Sequence, residues 1–106
     1  MDFKKLAENL DIEEEECLEL VALFIEVAAS DLHRFQEALE EEDVQEAARA
    51  AHSIKGAAAN LGLGDIFEVS KTMEKKALDK NLKGAMEMVR TMKEKLDGIA
   101  QNLTEG

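Results

Sequence analysis

The chain has no proline, tryptophan or tyrosine, one cysteine, and only four phenylalanines in 106 residues. Each shortage excludes something. Without proline there is no built-in helix breaker, so helices end only where glycine, asparagine or an acidic cap ends them. A single cysteine, Cys17, closes no internal disulfide, and its place within an apolar periodicity makes it a small core residue. Cations are scarce as well: 13 Lys and Arg stand against 24 Asp and Glu, a formal charge of −11. Such a surface repels phosphate backbones and anionic lipid, and it has no basic face interleaved with aromatics, so neither nucleic acid nor a membrane is an expected partner. No apolar run approaches the roughly 20 residues of a membrane span. The opening MDFKKLAENLD also lacks the apolar h-region of a secretory signal. The expected location is cytoplasmic.

What remains is rich in Ala, Leu, Glu and Lys and 45% hydrophobic, which favours helix throughout. The length suits one domain, residues 1–106, with a buried core and little left for a second. Phe3, Leu6, Ala7 and Leu10 fall at helical spacing and predict a short opening helix that lids one end of a bundle. Asp11, with Glu14 three residues on, has the form of a capping box, and the acidic run Glu13–Glu16 suits a positive helix N-terminus. From there an apolar ladder of Leu18, Val21, Ile25, Ala28, Leu32, Phe35 and Leu39 steps by three or four residues to about Glu40. Ser30 and Asp31 offer an alternative cap, so residues 11–41 hold one helix or two. A second row, Leu20, Phe24 and Val27, is either wider core or an exposed docking strip.

Asp43 with Glu46 opens the next helix, whose core face is Val44, Ala47, Ala48, Ala51, Ile54, Ala58 and Leu61, and Gly62 ends it. Gly64 keeps the turn loose before Asp65 and Glu68 start a third long helix carrying Ile66, Val69, Ser70, Met73 and Ala77 inward. Asn81 caps the last, with the stripe Leu82, Ala85, Val89, Met92, Leu96, Ile99 and Leu103, and Gly98 marks where its end is expected to fray. Four long amphipathic segments on short links predict an all-α, antiparallel up-down-up-down four-helix bundle with a short additional N-terminal helix.

The stretch Ala51–Gly62, AHSIKGAAANLG, breaks this pattern by its chemistry. At about 100° per residue, His52 stands a quarter turn from the inward Ala51, on the shoulder of the core. Its helical neighbours are Ala48, Lys55, Gly56 and Ala59, all small but the lysine. Mid-helix glycine costs about 1 kcal/mol against alanine, yet Ala57, Ala58 and Ala59 follow directly, so the missing methyl at Gly56 reads as clearance for another molecule. Lys55 favours an anion on the imidazole. His33, between Leu32 and Arg34, has no such surround and reads as a surface histidine. A metal-binding bundle needs inward Glu and Glu-x-x-His sets. Glu46 and His52 are not at that spacing, so no metal ligands are assigned.

This constellation resembles the histidine-containing phosphotransfer domain, whose signature is a histidine, then an apolar residue two on, lysine three on, glycine four on and glycine ten on. Here these are His52, Ile54, Lys55, Gly56 and Gly62, and the resemblance covers nearly the whole chain. It implies that His52 accepts a phosphoryl group at Nε2 from a receiver-domain aspartyl phosphate and passes it to another receiver aspartate. Lys55 would steady the phosphoryl oxygens and Gly56 give clearance, on a partner face that takes in Ala48, Arg49 and Ala59. It implies no bound cofactor, with Mg²⁺ expected in the partner receiver, and a carrier in place of an enzyme. Expected partners are response-regulator receiver domains, a sensor histidine kinase, or both, meeting a monomer. Two alternatives stand beside it: the phosphoacceptor domain of a chemotaxis-type histidine kinase, and a helical adaptor that is never phosphorylated. A start at Met1 and an end at Gly106 without a linker favour the relay over the kinase module as an expectation, while a free-standing protein and an excised domain both stay open.

Overall fold

The computed structural model describes residues 1–105, and these form five helices and no strand. They are α1 (Phe3–Leu10), α2 (Glu14–Glu40), α3 (Val44–Leu61), α4 (Gly64–Leu78) and α5 (Leu82–Glu105). The four long ones close a ring: α2 packs on α3 and α5, and α4 packs on α3 and α5. A helix of α2's 27 residues spans about 40 Å at 1.5 Å per residue, which matches the 42 Å long axis of the molecule. Among the described residues no helix is long and apolar enough to cross a membrane.

The apolar ladders become one core. Val21, Ala28, Leu32, Phe35 and Leu39 of α2 meet Ala47, Ala51, Ile54 and Ala58 of α3, Ile66, Val69, Met73 and Ala77 of α4, and Ala85, Val89, Met92, Leu96 and Ile99 of α5. Cys17 is fully buried among them, and burial pushes its thiol pKa up, with Glu14 adding to the effect. Ile25 and the ladder ends Leu18, Leu61, Leu82 and Leu103 are half-buried against this core. Alanine dominates the inner face of α3, which lets its neighbours approach it closely. Ser70 is buried without cost because its hydroxyl donates to the Ile66 carbonyl at 2.6 Å. Phe3, Leu6 and Ala7 of α1 join the core, and Leu6 lies beside Gly62, so α1 covers the end where α3 turns into α4.

Local chemistry sets the helix ends. Asp43 accepts from the Glu46 N–H at 3.1 Å, Asn81 accepts from the Gly84 N–H at 3.0 Å, and Gly62 closes α3 in the left-handed region at φ 75°. A side chain at Gly84 would collide with the Asn81 amide, so glycine there makes room for the cap.

Several expectations are corrected. Asp11 does not cap α2. It ends α1 in the left-handed conformation, φ 58°, with its N–H bonded to Glu8 and that of Ile12 to Ala7, a conformation aspartate tolerates. Glu13 takes the N-cap place of α2 without a side-chain bond, and Glu14, Glu15 and Glu16 supply the negative charge its first turn favours. Ser30 and Asp31 do not divide α2, because Asp31 is buried and spends its carboxylate on the Ser53 hydroxyl of α3 at 2.7 Å. Gly64 is already helical, since the buried Leu63 bonds back to Ala58 and leaves a shorter turn than Asp65 as a cap requires. Gly98 lies within α5, which runs from Leu82 to Glu105. The second row on α2 splits: Phe24 is core, whereas Leu20 and Val27 are exposed.

Candidate functional site

His52 leaves the middle of α3 and stands in solvent, its side chain 66% exposed. Its Nδ1 lies 3.0 Å from Oε2 of Glu74 on α4. The second oxygen of that carboxylate, Oε1, accepts from Nζ of Lys55 at 2.6 Å. One glutamate therefore ties together the histidine and the lysine one turn along α3. Glu74 is largely covered, with 19% of its side chain exposed. Burial pushes its carboxyl pKa up, but the hydrogen bond and charge of Lys55, followed by those of His52, outweigh this and hold it below the ordinary value.

This fixes the imidazole. An ionised carboxylate only accepts, so Nδ1 must carry the proton that bridges to it. In the neutral ring Nε2 then holds the lone pair. The nucleophilic nitrogen points away from the carboxylate, and Lys55 cancels the negative charge that would otherwise repel an incoming anion.

Beyond His52 and Lys55, the residues assigned from spacing separate into two groups. Gly56 and Ala59 are exposed on α3, and a Cβ placed on Gly56 meets nothing within 4 Å. Arg49 is also exposed, its guanidinium held by Glu46 at 3.0 Å. Ala48, by contrast, is only 7% exposed, because its short side chain does not reach out of the helix packing. It presents no surface to a partner. His33 is exposed and pairs with Glu37 of its own helix.

Glu74 is the residue that the spacing argument missed. Its signal is present but distributed: His52 and Glu74 are equidistant in sequence from Leu63, where α3 turns into α4. Ser53 and Asp31 form a second polar tie, from α3 to α2, on the adjacent position of the same helix. The two ties hold α3 at the level of His52 from both sides.

Two consequences are measurable. Because the pKa of Glu74 is depressed in the fold, its interactions stabilise the protein above the unfolded-state glutamate pKa of about 4.3, and the contribution is lost as pH falls through the lower folded value. Urea unfolding across this acid window should show wild type losing more stability than Glu74→Gln; parallel curves would mean that the ties to Lys55 and His52 contribute nothing in solution. At Gly56, where there is space for a methyl group, Gly56→Ala should raise stability by about 1 kcal/mol through helix propensity. A loss of stability would mean that the glycine serves packing and not access.

Compared with known protein families, the chain matches the Hpt domain over residues 19–102. No curated protein and no solved structure matches it.

Proposed function

The chain belongs to the Hpt domain family, the histidine phosphotransfer modules of two-component signalling, and from this we propose that it is a phosphorelay carrier with His52 as its phosphoryl acceptor. Nε2 of His52 attacks the phosphorus of an aspartyl phosphate on one response-regulator receiver domain; the N–P bond forms as the P–O bond to the aspartate breaks, and the freed carboxylate stays with the donor. The reverse step on a second receiver delivers the group. The observation that carries this reading is the exposed imidazole with its Nδ1 engaged by Glu74, which leaves Nε2 as the free nucleophile. No proton has to leave during attack, because the one on Nδ1 stays on the Glu74 bridge and its carboxylate stabilises the positive charge that develops on the ring.

A loose phosphoryl-transfer transition state needs alignment and charge neutralisation more than covalent help. In this reading Lys55, bonded to Glu74, turns towards the phosphoryl oxygens, and the open space at Gly56 supports clearance for the receiver on a face with Ala59 and Arg49. Mg²⁺ and the acidic pocket come with the receiver, so this chain is a carrier and its partner the catalyst. We further take the four long helices to run up-down-up-down on their short links within one domain, and the protein to act as a cytoplasmic monomer.

The test is direct. The protein is incubated with a phosphorylated receiver and Mg²⁺, and separately with a sensor kinase and ATP, and then examined for label that is acid-labile and base-stable. Label from the receiver supports the relay. Label from the kinase alone would assign the chain to the phosphoacceptor role of a chemotaxis-type kinase, and no label from either would leave a helical adaptor.

A further inference from the structure

The buried residues of α3 are Ala47, Ala48, Ala50, Ala51 and Ala58, with Ile54 as the one large side chain among them. Helices lock against rotation by setting the ridges of one into the grooves of the next, and methyl groups make low ridges. The core therefore brings α3 close to its neighbours but fixes its roll about its own axis weakly. Roll matters at His52. A side-chain tip about 6 Å from a helix axis moves about 1 Å when the helix turns by about 10°, and a misplacement of about 1 Å slows a reaction on the order of a hundredfold.

Polar ties supply what the alanines lack. On the α4 side, Glu74 engages His52 and Lys55. On the α2 side, two side-chain contacts cross to α3 among the described residues: Ser53 Oγ donates to Oδ2 of Asp31 at 2.7 Å, and Arg34 Nε lies 2.9 Å from Oε1 of Glu46. Ser53 and Glu46 are two turns apart on one side of α3, and Asp31 and Arg34 are one turn apart on α2. The tie at Ser53 is the more buried. Asp31 is 7% exposed, and its other oxygen, Oδ1, lies 3.4 Å from Nη1 of Arg34, so a hydroxyl and a guanidinium hold the carboxylate between them. At about 100° per residue, Ser53 and His52 sit on opposite flanks of the exposed face of α3 that carries Arg49 and Gly56. The α2 and α4 ties pull α3 in opposite senses, and their balance sets the angle at which the imidazole leaves the bundle.

We propose that Asp31 and Ser53 are positioning residues for phosphoryl transfer: without touching the reacting atoms, they fix the roll of α3 so that Nε2 of His52 meets the receiver's aspartyl phosphate in line. The inference rests on the relay reading above. It assigns alignment to α2 and leaves the chemistry of the ring to Glu74.

The test compares two donors on the same variants. A phosphorylated receiver with Mg²⁺ holds its phosphoryl group rigidly and needs the imidazole at one angle. Phosphoramidate, a small donor that exchanges its P–N bond for the one to Nε2 and releases ammonia, reaches the ring at whatever angle the ring stands. Ser53→Ala should slow transfer at saturating receiver on the order of tenfold. It should leave the receiver concentration for half-maximal rate and the rate of labelling by phosphoramidate unchanged. Ser53→Thr keeps the hydroxyl and should restore transfer. Because Ser53→Ala takes the closest partner from a buried carboxylate, it should also lower the melting temperature; adding Asp31→Ala removes that carboxylate and should recover melting without recovering the rate. Transfer that recovers together with melting would make the pair a stability element only and overturn the proposal. So would a Ser53→Ala variant as fast as wild type with the receiver, or slowed equally with both donors. A wild type that takes no label from the receiver would overturn the relay reading itself, and this inference with it.

Discussion

A His52→Gln variant takes up no phosphoryl label from a phosphorylated receiver and Mg²⁺ under conditions that label the wild type, while its helicity and melting stay close to wild type. Glutamine keeps a polar side chain of similar reach but has no nucleophilic nitrogen, since its amide lone pair is delocalised into the carbonyl. Chemistry is lost in full for that reason. Stability is largely spared because the side chain is 66% exposed and buries little apolar surface. Among the described residues the fixed contact at stake is the Nδ1 bond to Glu74, a partner that keeps its shorter tie to Lys55. A change within about 0.5 kcal/mol is the expectation for a surface position of this kind. The paired readout separates two ways of being wrong. Label that persists in the variant would place the acceptor elsewhere, whereas lost label together with a collapse of melting would make His52 a structural residue.

How far the sequence led depended on whether the interaction was local. The caps at Asp43, Gly62 and Asn81 were legible because each joins residues three or four apart, whose geometry the helix itself dictates. Asp11 was misread for the same reason in reverse: it stands between two helices, can serve either, and only the closing bonds of α1 decide. The ladders named most of the core, since period and burial coincide in an amphipathic helix. They did not separate Phe24 from Leu20 and Val27, because a residue on the flank of a face is buried or exposed according to where the neighbouring helix passes. Ala48 shows the same limit at the site. Its wheel position matched the shoulder of His52, yet packing covers a methyl group there and leaves an imidazole standing clear.

Glu74 is the sharpest case, and it bears the second large effect. Replacing it with alanine should slow phosphoryl transfer at His52 on the order of tenfold to a hundredfold, by analogy with carboxylates that orient metal-ligating histidines. Three consequences combine. The imidazole loses the partner that holds the proton on Nδ1, so part of the population places it on Nε2 and is unreactive. The ring also loses its fixed orientation, and the positive charge it gains during attack loses the carboxylate that stabilises it. A lysine freed from Glu74 moves into water or towards the phosphoryl group, which partly offsets the loss. Glu74→Gln tests whether charge or position matters: its carbonyl oxygen can still accept from Nδ1, but it brings no negative charge. If positioning dominates, Gln should restore most of the rate that Ala loses. If the charge dominates, Gln should be nearly as slow as Ala. Rates equal to wild type in both variants would mean that the Nδ1 contact plays no part in transfer, and would remove the ground for assigning Nε2 as the nucleophile.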